Sequence, residues 1–201
     1  MSRKRSARRW STLTFCADAL LLSLLLAGAG LSCQSAYPLG ENRIPLVLTA
    51  AALGVMLAAV HNLPRFRWAG LVLVAEGYAL CAWLLWDKLA LGARTAAASL
   101  SMVLGGSLDL PSPFPKGERD LFLCAALALL ALPLSWAALR LRSALAVAAM
   151  TYPLLLPAFL ADQLPAWPCF LLLLTAWCVL ALTGAFSRKD GAARARLTLA
   201  A

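Results

Sequence analysis

Two carboxylates stand where carboxylates are rare. Asp18 and Glu76 each fall inside a long apolar run. An ionised group in hydrocarbon is expensive, so such residues mostly face a bundle interior or a wet cavity. Glu76 lies near the middle of its run. It reads either as a proton or cation site, or as a protonated or hydrogen-bonded packing residue beside Tyr78 or Thr151. Asp18 sits nearer the end of its run, within reach of the arginines that precede it. His61 is the single histidine, in a basic turn without a ligand partner nearby. The six cysteines, Cys16, Cys33, Cys81, Cys124, Cys169 and Cys178, form no CxxC pair and no metal-ligand spacing. They read as small hydrophobes, and a disulfide between Cys33 and Cys169 stays open on sequence alone. No Gly-rich phosphate loop, GxSxG or HExxH occurs. The expectation is a protein that is not an enzyme, with no catalytic residue, no metal and no cofactor.

The elements that must position these residues follow from hydropathy. Of the 201 residues, 62% are hydrophobic and 13% charged, against about 45–50% and about 25% for a soluble domain. Mean hydropathy is +0.80. Apolar runs cover roughly 13–32, 44–61, 68–86, 120–139, 143–161 and 166–186. Each approaches the ~20 residues that a helix needs to cross a bilayer. None alternates in polarity as a barrel strand would, and backbone groups in lipid must be satisfied within the segment. The sequence therefore predicts an all-α, polytopic bundle of six transmembrane helices. The first run follows a basic tail, as a secretory signal does, but it is long enough to stay as an uncleaved span. Between spans three and four, residues 87–119 form the longest connection. Its first half, Asp87 to Leu104, has the pattern of an amphipathic helix at the membrane interface, and a short re-entrant segment is the other reading. Its second half, with Pro111, Pro113 and Pro115, reads as an irregular external loop.

Charge orients the bundle. The net charge is +9, but the basic residues sit at run ends, which fits anionic lipid headgroups and speaks against nucleic acid. One side collects Arg3, Lys4, Arg5, Arg8 and Arg9 of the 1–12 tail, then Arg65, Arg67, Arg140, Arg142, Arg188 and Lys189. The other side has fewer cations, diluted by acids such as Glu41, Asp109 and Glu118. The asymmetry alternates at each crossing. It places both termini in the cytoplasm, with 187–201 as a second basic tail, in what reads as a bacterial inner (cell) membrane. Trp68, Trp86 and Trp167 fall near span ends, whereas Trp83, Trp136 and Trp177 read as packing residues. Pro133, Pro153 and Pro157 interrupt spans four and five. Such kinks either open a substrate site or are ordinary membrane-helix prolines. The small-residue groups 27–30, 50–54 and 125–126 let helices approach closely.

The layout resembles the N-terminal membrane region of bacterial transglutaminase-like membrane proteins. The resemblance rests on Asp18-Ala19-Leu20-Leu21-Leu22, on Leu63-Pro64-Arg65-Phe66-Arg67-Trp68, on Leu84-Leu85-Trp86-Asp87-Lys88-Leu89 and on Thr151-Tyr152-Pro153-Leu154-Leu155-Leu156-Pro157. It implies an anchor for an extracytoplasmic domain that carries a Cys-His-Asp triad. That domain is not in this chain, so no catalytic residue carries over. Two functions are expected in turn: a non-catalytic anchor or scaffold that holds a membrane or extracytoplasmic protein partner, or a small permease component that uses Glu76.

Overall fold

The computed structural model describes residues 12–37, 42–63, 67–103, 116–160, 162 and 164–199. The expected N-terminal tail and the proline-bearing external loop lie outside the described residues, apart from their edges. Helices α1 (Thr12–Ala36), α2 (Ile44–Asn62), α3 (Arg67–Leu84), α4 (Trp86–Val103), α5 (Lys116–Ser135), α6 (Ala144–Leu160) and α7 (Trp167–Leu199) follow one another, with no strand among the described residues. Four stretches are long and apolar enough to cross a membrane: Thr14–Ala36, Ile44–Asn62, Gly117–Leu141 and Trp167–Gly184. α3 and α4 pass that test only as a pair, and α6 is a shorter apolar helix. The all-α class and the membrane-spanning composition are therefore plain in the fold.

α1 is the central helix. Leu22, Leu25 and Leu26 are fully buried, and Ala29 nearly so. Because lipid tails are as apolar as leucine, such helices associate through close packing more than through a hydrophobic drive. Glycines provide the closeness. A Cβ on Gly28 would lie 2.7 Å from the Leu173 amide nitrogen of α7. A Cβ on Gly54 of α2 would collide with the Ser23 hydroxyl of α1. The 27–30 and 50–54 groups thus sit at helix contacts, whereas Ala126 of the third group is exposed.

Several boundaries differ from the sequence reading: α1 runs on to Ala36 rather than ending near 32, and α5 begins at Lys116 rather than near 120. The third apolar run ends at Leu84, and α4 leaves α3 at 83° after a turn at Leu85. Along α4 Asp87, Lys88 and Arg94 are exposed, whereas Gly92, Thr95, Ala96 and Ala98 are buried. α5 runs on as a π-helix, Trp136–Leu141, and ends at Arg142 in the left-handed region with φ 46°. The last helix does not stop near residue 186 but continues to Leu199. Alanine and arginine, both good helix formers, dominate that extension.

Candidate functional site

The last turn of α1 is a polar hub. Ser35 Oγ donates to the Ser32 carbonyl at 3.1 Å and accepts the Ala166 amide at 3.0 Å. Gln34 Nε2 donates to the Asn42 carbonyl at 3.1 Å. Tyr37 Oη donates to the Leu154 carbonyl at 2.9 Å and accepts the Ala158 amide at 3.0 Å. A regular α-helix joins that carbonyl and that amide directly. Pro157 stands beside them without an amide of its own, and the phenol inserts into the hydrogen-bond ladder next to it. Burial pushes the Tyr37 phenol above the ordinary tyrosine range, against the opposing pull of the Ala158 hydrogen bond. The hub ties the end of α1 to the start of α2, to α6 and to the approach to α7. None of Ser32, Gln34, Ser35 and Tyr37 stood out in the sequence. Their only signal was polarity at the end of an apolar run.

Beside the hub lies a cavity of about 480 Å³, within the roughly 300–1,000 Å³ range of ligand pockets. Gly30, Cys33 and Tyr37 of α1, Phe122 and Ala126 of α5 and Pro153 of α6 contribute to its walls, and Ala93, Ala96 and Ala97 of α4 close it on one side. Its lining is almost wholly carbon. Water needs two to four polar partners. The Tyr37 hydroxyl is already engaged with α6. The hydroxyls of α4 turn back on their own helix: Thr95 Oγ1 to the Gly92 carbonyl at 2.8 Å, Ser99 Oγ to that of Thr95 at 3.0 Å.

At the opposite end of the bundle, His61, Trp68 and Trp136 cluster. The two indoles lie 5.2 Å apart, and His61 meets Trp136 edge-on at 6.4 Å. His61 Nδ1 faces the Leu57 carbonyl at 3.0 Å. Trp136 belongs to the π-helix, a rare geometry that often marks a special position in a helix. Arg140 and Arg142 are exposed at this end. The Arg142 carbonyl would lie 2.5 Å from a Cβ on Gly184 of α7. Arg3, Lys4, Arg5, Arg8, Arg9 and Arg65 lie outside the described residues. So do the side chains of Arg67, Arg188 and Lys189.

Glu76 joins neither cluster. Leu71, Val74, Tyr78 and Ala82, all half-buried, mark the packed face of α3. Glu76 falls on the opposite face with exposed Val72, Leu73, Leu80 and Trp83. Its expected neighbours are elsewhere: Tyr78 is on the packed face, and Thr151 is buried in α6, donating to the Val147 carbonyl at 2.9 Å. Trp83, expected as a packing residue, is 73% exposed. Asp18 is half-buried on α1. Of the prolines, Pro153 and Pro157 line the cavity, whereas Pro133 is exposed. All six cysteines are free, Cys33 and Cys169 included. Among the described residues no three of His, Cys, Asp and Glu meet as a metal site. No family model, curated protein or solved structure matches the chain.

Proposed function

We propose that this protein is a non-catalytic membrane scaffold, a bundle of six crossings with both termini on the cytoplasmic side of a bacterial inner membrane. The observation that carries the reading is Glu76 on the outer, apolar face of α3. A carboxylate facing hydrocarbon at mid-helix is costly, and a second transmembrane helix that brings a hydrogen-bond donor or a cation relieves that cost. The polar side chains at the end of α1 tie helices together, and most others with resolved hydrogen bonds bond within their own helix. The alternation of chain ends supports the six crossings. The ends of α1 and α6 meet at Tyr37, and the start of α3 meets the end of α5 at Trp68 and Trp136. At 17 residues, α6 stays within the ~17–25 that span a bilayer. The resemblance to the membrane region of transglutaminase-like proteins belongs to the same proposal, with the extracytoplasmic domain as the held partner.

The reading is tested in native membranes with single cysteines placed at Val72 and at Leu73 of a chain whose six native cysteines are replaced by alanine. Cross-linking is expected to yield an adduct of defined mass that weakens several-fold in Glu76→Leu. Proton or substrate flux in reconstituted vesicles is expected to be the same for the wild-type chain and for Glu76→Gln. A flux that depends on the Glu76 carboxyl would replace this reading with the permease one.

A further inference from the structure

We propose that the cavity under α4 holds the acyl tail of a membrane phospholipid whose phosphate is met by Arg94. The proposal rests on the membrane reading above. Three observations converge on it. The cavity is about 480 Å³, walled by carbon and open to the outside of the bundle, so water finds few polar partners in it and an apolar chain can enter from the surroundings. Its space comes from short side chains: Ala93, Ala96 and Ala97 on α4 face Gly30 of α1 and Ala126 of α5 across it. Leucines at those positions would fill it. The third observation is charge. Arg94 is exposed, follows the wall residue Ala93 and precedes the wall residue Ala97 by three. An arginine fork matches phosphate oxygens. A headgroup at Arg94 and a tail beneath Ala93 and Ala97 is the arrangement of a phospholipid, whereas an isoprenoid alcohol would leave the cation without a counter-charge.

α4 suits this role. Gly92 lets it press onto α5, because a Cβ there would collide with the Glu118 carbonyl and lie 2.8 Å from the Phe122 Cβ. The helix is thus pinned beside one wall of the cavity, and its bend from α3 lets it cover the space instead of running parallel to α3.

The full chain is reconstituted in phosphatidylcholine vesicles doped with phosphatidylglycerol that bears a diazirine in one acyl chain. After illumination, adducts are mapped by peptide mass spectrometry. Adducts are expected on 93–100 and 122–130, and separately on the outward α3 residues Val72 and Leu73. Ala96→Phe is expected to reduce the cavity adducts at least fivefold without changing those on α3. Ala126→Leu, a smaller change, is expected to do the same to a lesser degree if the larger side chain prevents folding. Diacylglycerol with the same diazirine chain is expected to label the cavity several-fold less than phosphatidylglycerol, and Arg94→Gln to remove that preference. Absence of cavity adducts, cavity labelling at the wild-type level in both filled variants, or stronger labelling by a diazirine isoprenoid alcohol would overturn the proposal. Loss of the α3 adducts as well would instead indicate that the chain does not sit in the bilayer, which is a failure of the underlying reading.

Discussion

Tyr37 shows what a single side chain does here. Its hydroxyl replaces a direct helical hydrogen bond in α6 with two of its own. Tyr37→Phe leaves the Leu154 carbonyl and Ala158 amide without it, and unsatisfied buried groups cost about 1–3 kcal/mol each. The variant is expected to melt at lower temperature in detergent by differential scanning, with loss localised to α6 in hydrogen exchange. The same residue sets an alkaline limit. Its pKa is raised in the folded chain by burial, so the native state holds the phenolic proton more tightly than the unfolded one. That stability is fully present below the ordinary tyrosine pKa of about 10 and falls as pH rises through the folded value. Tyr37→Phe should remove this component from a melting-temperature profile taken between pH 8 and pH 11, and an unchanged alkaline slope would assign it elsewhere.

Among the elements, α1 and its glycines carry the packing. Gly28→Leu should drive a side chain into the backbone of α7. Overpacking of this kind costs about 1–3 kcal/mol and more where backbone must move. Gly77 of α3 makes the contrast, since a Cβ there meets nothing within 4 Å. Gly77→Ala should be neutral or stabilising by up to about 1 kcal/mol through helix propensity alone. Thermal unfolding of the two variants side by side checks both. α4 was legible as an amphipathic helix because Leu89, Leu91, Ala96 and Leu100 recur among Lys88, Arg94, Thr95, Ser99 and Ser101. Its packing on α5 was not, because Gly92 opposite Phe122 leaves no trace in the hydropathy of either segment.

For the molecule as a whole, the proposed six crossings would fix which turns share a side. Cysteines introduced at Leu63 and Leu141 are expected to react with a membrane-impermeant thiol reagent from the same side, and cysteines at Arg43 and Asp162 from the other. These labelling experiments start from a chain whose six native cysteines are replaced by alanine. Reaction of Leu63 and Leu141 positions from opposite sides would dismantle the arrangement.

The amino-acid order alone determined the helical class and roughly where the apolar segments fall along the chain. Hydropathy and charge act locally along a chain, so they can be read one segment at a time. It also exposed Glu76 as anomalous, since a carboxylate in an apolar run is visible without coordinates. The direction in which Glu76 points was decided only in three dimensions, because it depends on how far α3 is rotated against α2 and α5. The same holds for the hydrogen bond between Tyr37 and Ala158, which are 121 residues apart. It holds too for the cavity, whose alanines on α4 and α5 read separately as ordinary packing and create a space only when folding sets them face to face.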